Sequence, residues 1–352
     1  MCLALAPVLA GCWDRREVET LALATALSLD AAPAPAFRPA LLVNAQFAIA
    51  ARFAGAAGPG AGGAAGMGPG SGARAPFART SGGPTGPTVW VVGAAGQTLT
   101  QAMERISALA PRLPLWAHVR LLVVGEELAR QGLDRVLDGL MRDRQIRRTP
   151  WIVVARGVPG YRILELPNPL SPAPEEGISR LLQNLRSQSA STLPQRLQDF
   201  LVAYAQPGVD PFTAGITYEL PVPHDPVLAP SAEPLPALPR PQGTAVFRGD
   251  RLVGWLTAEE SQGLALLVGE SRSFLLTLPC PAASGYLTVR VLRFDSRRTV
   301  VEPASVPEAA SRGVAFRVEV RAEGSLNEQE CRPALDGARL RQLEDEVSRA
   351  LE

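Results

Sequence analysis

Between Gly55 and Gly86 the chain carries twelve of its 32 glycines and almost no branched side chains. Such a segment cannot bury enough apolar surface to offset its ordering entropy. It reads as a flexible surface loop, and any core must be assembled from the sequence on either side of it. A second interruption has different chemistry: eight prolines between Pro221 and Pro241. Proline cannot donate to a helix or a sheet ladder, so this stretch reads as an extended linker or long loop. The glycine tract includes Gly58, Gly60 and Gly63 in a G-x-G-x-x-G spacing. No strand leads closely into it and no helix-forming run follows, so it lacks the context that a dinucleotide fingerprint requires.

The charged residues exclude several chemistries. All 35 basic residues are arginine, set against 34 acidic ones. A chain without lysine builds neither a Schiff-base enzyme nor a Walker-type phosphate loop. A formal charge of +1 gives no electrostatic footprint for nucleic acid. The two histidines, His118 and His224, and the four cysteines, Cys2, Cys12, Cys280 and Cys331, show no zinc-site spacing. No serine sits in a G-x-S-x-G elbow. The adjacent Glu126 and Glu127 do not face one another on a helix, which leaves them poorly placed for two-carboxylate hydrolysis. Composition and spacing therefore lean away from an enzyme, and no metal or cofactor is expected.

Around the interruptions, hydrophobic periodicity marks ordered elements. Leu21 to Leu29 reads as a buried strand or a short helix, and Ala40 to Ile49 and Thr88 to Val92 as strands. Thr98 starts a helix with Gln101 at the capping-box position, and Leu99, Ala102, Met103, Ile106 and Leu109 form its apolar stripe. His118 to Gly125 is a second buried strand, Glu126 to Gln131 a helical turn, and Leu133 to Arg144 a helix with Val136, Leu137, Leu140 and Met141 inward; Trp151 to Ala155 is a third strand. Helices are expected at Glu175 to Gln188 and Leu193 to Tyr204, then a strand at Gly215 to Leu220. Gly249-Asp250 between two apolar runs marks a hairpin. Thr257 caps a helix with Leu264, Leu267 and Val268 on its buried side. Strands follow at Phe274 to Leu278, Tyr286 to Phe294 and Gly313 to Arg321, and a last helix, Leu335 to Leu351, aligns Leu340, Leu343, Val347 and Leu351.

This alternation predicts an α/β fold of mixed α+β type, with mixed sheet packed by helices in three consecutive domains. After a signal peptide at 1–11, the blocks are 12–169 with the glycine-rich loop 55–87, 170–270 with the proline-rich loop 221–241, and 271–352. The arginines Arg142, Arg144, Arg147, Arg148 and Arg156 form a local basic cluster, readable as a solvated helix end or as a contact for lipid headgroups or an acidic partner. Cys280 and Cys331 are free thiols or a disulfide closing a loop of about fifty residues. Trp255 is a core aromatic or an interface anchor, and His118, with no second ligand nearby, is expected to pack and hydrogen-bond.

Met1 to Cys12 is apolar and ends in small residues, the shape of a signal-peptide core with its cleavage site, and it is too short to span a bilayer. Leu9-Ala10-Gly11-Cys12 resembles the lipobox of a bacterial lipoprotein. The resemblance implies a diacylglyceryl group on the Cys12 sulfur and cleavage before it, and two acyl chains suffice for stable anchoring.

Four motifs in order, Leu9-Ala-Gly-Cys-Trp-Asp-Arg-Arg-Glu-Val18, Gln97 to Met103, His118 to Arg130 and Gly243 to Gly254, resemble the Ger(x)C family of spore germination lipoproteins. The resemblance implies a non-enzymatic lipoprotein subunit of a nutrient germinant receptor. It would be lipid-anchored at the inner membrane of the spore and act with two membrane subunits in assembly and signal relay. It leaves open whether this subunit contacts a small molecule. Family members usually continue beyond the last helix, so the third domain is expected to be incomplete and to leave an apolar patch. The alternative is a solute-binding lipoprotein of a transport system, which would share the lipobox and an α/β body.

Overall fold

The computed structural model describes residues 17–32, 41–49, 88–168, 170–219, 237–269, 273–280, 284–301, 315–330 and 337–351. The glycine tract, residues 220–236 of the proline-rich segment and the Leu9 to Cys12 motif lie outside these residues.

The chain opens with β1 (Leu21–Ala31), β2 (Leu41–Ala48) and β3 (Val89–Gly96), followed by α1 (Leu99–Leu109), β4 (Leu113–Leu115), β5 (Leu121–Gly125), α2 (Glu126–Gln131), α3 (Asp134–Arg142) and β6 (Trp151–Ala155). Then come α4 (Gly160–Glu165), α5 (Pro174–Gln188), β7 (Gln195–Arg196), α6 (Leu197–Ala205), β8 (Phe212–Glu219), β9 (Leu238–Arg248), β10 (Arg251–Leu256) and α7 (Ala258–Val268). The chain ends with β11 (Phe274–Pro279), β12 (Tyr286–Val301), β13 (Ala315–Gln329) and α8 (Gly337–Leu351).

Among the described residues ten strands share one sheet, whose main path runs β10-β9-β8-β6-β5-β1-β2-β3. Its centre, β1, β5, β6 and β8, is parallel, and the strands on both flanks are antiparallel. Parallel strands are covered on both faces and therefore read as unbroken apolar runs. In β5, Leu122 and Val124 face one cluster while Leu121 and Val123 face the other; in β6, Ile152 and Val154 oppose Trp151, Val153 and Ala155. Helices α1, α2, α3 and α6 cover the first face through Met103, Ile106, Leu137 and Phe200. Helices α4 and α5 cover the second through Ile163, Leu164, Ile178 and Leu182. This is the mixed α/β architecture read from the sequence, with a separate antiparallel sheet, β11-β12-β13, beyond it.

Helix α7 joins the two sheets. Its Ala265 and Leu266 pack with Phe274, Val291 and Phe294 of the second sheet and with Ala190 and Leu193 beside the first. The sequence expected Leu264, Leu267 and Val268 to be buried here; Leu264 does pack against this cluster, but the fully buried positions are Ser261, Ala265 and Leu266, and Leu267 is exposed. The rotation has a polar cause. The Ser261 hydroxyl meets that of Thr244 on β9 at 2.9 Å, which turns a hydrophilic position inward.

The capping expectations hold. Thr98 accepts from the Gln101 N–H at 3.2 Å, with the Gln101 side chain reaching the Gln97 N–H instead of that of Thr98, and Thr257 and Glu260 form a reciprocal box. Other elements differ in extent. Leu109 and Met141 end their helices exposed. Strand β5 starts at Leu121, because residues 116–118 form a single 3-10 turn. Strand β9 begins inside the proline-rich stretch: Pro239 and Pro241 pair only with β8, while β10 covers β9 from Thr244 onward. An unpaired edge is where a strand tolerates proline. The hairpin turn is at Gly249, whose φ of 58° lies in the left-handed region.

Candidate functional site

Charged side chains stand at both ends of the parallel strands. At the carboxyl end, β1 delivers Asp30, which is buried. Its Oδ1 accepts from the Gly160 N–H at 2.7 Å, and its Oδ2 accepts from the Ser28 hydroxyl at 3.0 Å, which in turn accepts from Asn44 Nδ2 at 3.0 Å. Burial pushes the Asp30 carboxyl above its ordinary value, against the opposing hydrogen bonds from Gly160, Ser28 and Tyr161. A Cβ on Gly125 would lie 2.4 Å from Asp30 Oδ1, so glycine lets β5 end against this carboxyl.

The next residue, Glu126, ties three segments together. Its Oε1 accepts from the Trp255 indole N–H of β10 at 3.0 Å and from Arg130 at 2.7 Å, and its Oε2 accepts from the Gly157 N–H at 2.9 Å. Burial alone would raise this carboxyl, but the bonds from Trp255, Arg130 and Gly157 outweigh it and hold Glu126 below its ordinary value. Arg156, at the end of β6, lies 4.8 Å over the Trp255 ring. Glu127 turns away to accept from Gln131 at 3.2 Å, so the two adjacent carboxylates serve different partners.

At the amino end a cleft of about 720 Å³ opens, lined among others by Arg120, Arg148, Thr149, Arg180, Gln183 and Arg196. Arg120 directly precedes β5, and its carbonyl accepts from the Trp151 N–H at 2.9 Å. Arg148 precedes β6, and its carbonyl accepts from the Gln198 N–H at 2.9 Å. Arg196 lies 3.5 Å over the buried Trp151 ring and donates to the Thr149 carbonyl and to Gln183 Oε1. Its guanidinium is pushed below the ordinary arginine range, first by burial and then by the charge of Arg186, against Asp199. The acids here have partners within the protein. Glu176 accepts from Arg180 at 2.6 Å and from the Ser171 hydroxyl, and Asp199 accepts from Arg186 at 2.9 Å.

The candidates from the sequence are dispersed. Leu9, Ala10, Gly11 and the lipid-anchor position Cys12 lie outside the described residues. His118 is exposed at the end of its 3-10 turn rather than packed. The basic cluster is not one patch: Arg142 pairs with Asp138, Arg148 lines the cleft, and Arg156 stacks on Trp255 at the opposite end. Trp255 is half-buried and serves the fold through Glu126. Cys280 is disulfide-bonded; Cys331 lies outside the described residues. Among the described residues no cluster of three metal-ligating side chains occurs, and no helix is long and apolar enough to cross a membrane. Arg120, Arg180 and Arg196 were not singled out in the sequence. The available signal was an arginine just ahead of an apolar run, at Arg120-Leu121, and it has no counterpart at Arg196.

Comparison with known proteins gives consistent matches along the chain. Residues 14–218 match the family described as spore germination protein N-terminal domain, and residues 242–352 match spore germination B3/GerAC like, C-terminal. Spore germination protein KC of Bacillus subtilis (strain 168) is 25% identical over 97% of this chain and 79% of its own length. The putative spore germination protein YfkR of the same organism is 25% identical over 92% of this chain and 72% of its own. Among solved structures, the crystal structure of the GerBC protein aligns over 93% of this chain and 79% of that one, with 16% identity and a TM-score of 0.44.

Proposed function

The chain belongs to the Ger(x)C family of spore germination proteins, and from that premise we propose that it is the lipid-anchored subunit of a nutrient germinant receptor. In this reading Cys12 carries the diacylglyceryl group, with Leu9, Ala10 and Gly11 as its recognition sequence. The body is held at the inner membrane of the spore beside two membrane subunits. Its work is assembly and signal relay rather than catalysis. The observation that carries the reading is the order of the two family matches. They run from residue 14 to 218 and from 242 to 352, and the first begins two positions after Cys12 in the apolar, small-residue motif.

Two acyl chains on one sulfur give durable membrane attachment where a single chain would be marginal. Replacing Cys12 by alanine should therefore move the protein from the membrane fraction of spores to the soluble fraction and weaken the germination response to nutrients. Membrane association and germination that are both unaffected by Cys12→Ala would reject the anchored-subunit reading.

A further inference from the structure

The arginine-lined cleft at the amino end of the parallel strands has four arginines in its lining against two acids, Glu176 and Asp199. Four arginines line it, and they come from four separate places: Arg120 ahead of β5, Arg148 ahead of β6, Arg180 on α5 and Arg196 ahead of α6. Two of them are held. Arg180 is paired with Glu176, and Arg196 is fixed against Trp151 with donors already directed to Thr149 and Gln183. Both acids lining the cleft, Glu176 and Asp199, already accept from arginines.

The side chains of Arg120 and Arg148 have neither a hydrogen bond nor an ion pair among the described residues. Arg120 lies near enough to the buried Glu175 to oppose the rise that burial imposes on that carboxyl. Burial, and after it the neighbouring Arg186, disfavour the charge on Arg196, while Asp199 supports it.

Guanidinium groups present paired donors that match oxyanions and hydrate weakly, so several converging arginines favour phosphate over chloride. At about 720 Å³ the cleft is in the range of sites for small molecules. The guanidinium groups reach this one cleft from separate elements, so a ligand there would meet donors from more than one segment of the chain. We infer that the cleft is a binding site for a phosphate group, with Arg120 and Arg148 as the receiving side chains and Arg196 as their fixed neighbour. The phosphate is either that of a free phosphate ester or that of a lipid headgroup.

The test is calorimetric titration of inorganic phosphate into the full chain at constant ionic strength. It uses the parent protein, the variants Arg120→Gln and Arg148→Gln, and the exposed controls Arg144→Gln and Arg147→Gln, which lie outside the cleft. Saturable binding by the parent is expected, with affinity reduced about tenfold or more in each cleft variant and unchanged in the controls. A parallel arm uses the chain with Cys12→Ser, so that no tether intervenes, and floats it with phosphatidic acid or phosphatidylcholine vesicles. Capture by phosphatidic acid vesicles that needs Arg120 and Arg148 and is competed by free phosphate supports the site and assigns it to headgroups. Phosphate binding without vesicle preference supports the site and assigns it to soluble esters. Absence of saturable binding in both arms, or equal losses in the control variants, would overturn the proposal.

Discussion

The same parallel strands carry charged groups at both ends, and the two ends treat them in opposite ways. Beyond the carboxyl ends, Asp30 and Glu126 are closed in by donors from β1, α2, β10 and the backbone at Gly157 and Gly160. Ahead of the amino ends, Arg120 and Arg148 line a cleft whose two acids are already paired with Arg180 and Arg186. Open α/β sheets usually bind ligands outside the carboxyl ends of their strands. Here that end is filled by the protein's own side chains, and the opening lies at the other. The position of a site therefore does not follow from fold class; it follows from which polar groups remain unsatisfied after folding.

If the carboxyl end is closed as described, it should resist even one added methyl group. Gly125→Ala places a Cβ 2.4 Å from Asp30 Oδ1, the atom that accepts from the Gly160 N–H. The carboxyl must then move and give up a buried bond, at an expected cost of about 2–3 kcal/mol. A lower urea midpoint at unchanged slope would show this loss as one of stability alone. An unmoved midpoint would mean that this end is loosely packed and that the contrast between the two ends fails.

Trp255→Phe probes the same end more gently. Phenylalanine keeps a ring beneath Arg156 but deletes the indole donor to Glu126; losing a hydrogen bond to a charged group costs about 1.5 kcal/mol. The pH dependence provides a second reading. Glu126 is held below its ordinary value of 4.5, so its stabilisation is present above that value and is lost as pH falls through the folded one. The stability gap between parent and variant should therefore be widest near neutrality and narrow on acidification below 4.5. A gap that stays constant into acid would mean that the indole supports packing rather than the carboxylate.

The closed end and the open one were unequally legible in the sequence. The apolar runs Leu121 to Val124 and Trp151 to Ala155 announced strands buried on both faces, and Thr98 and Thr257 announced their helices through local capping chemistry. Signals of this kind are carried within a few residues. The Glu126 network was not visible beyond its local partner Arg130, because its other two donors come from 31 and 129 positions away and only the fold brings them together. The inward turn of Ser261 was hidden for the same reason, since its partner Thr244 is on β9. The basic run from Arg142 to Arg156 is contiguous in sequence but not in space: Arg142 is a solvated helix end, and Arg148 and Arg156 part company. β6 carries Arg156 across the sheet to the opposite end from Arg148. The arginines that do converge, Arg120, Arg148, Arg180 and Arg196, are spread over three connections of the fold.

The smallest expected effect separates charge from geometry at the open end. In Arg196→Lys the positive charge stays, while the planar group lying 3.5 Å over Trp151 and its donors to Thr149 and Gln183 are lost. An ammonium on a flexible stem neither stacks nor forks in this way. The stability loss should be about 1 kcal/mol, the scale of a partly exposed cation–π contact. If Arg196 only fixes the wall of the cleft, phosphate affinity in this variant should fall about two- to threefold, well short of the tenfold or more expected for Arg120→Gln or Arg148→Gln. An affinity loss larger than theirs would make Arg196 the receiving group. The open end would then resemble the closed one, with its key cation already committed to the fold.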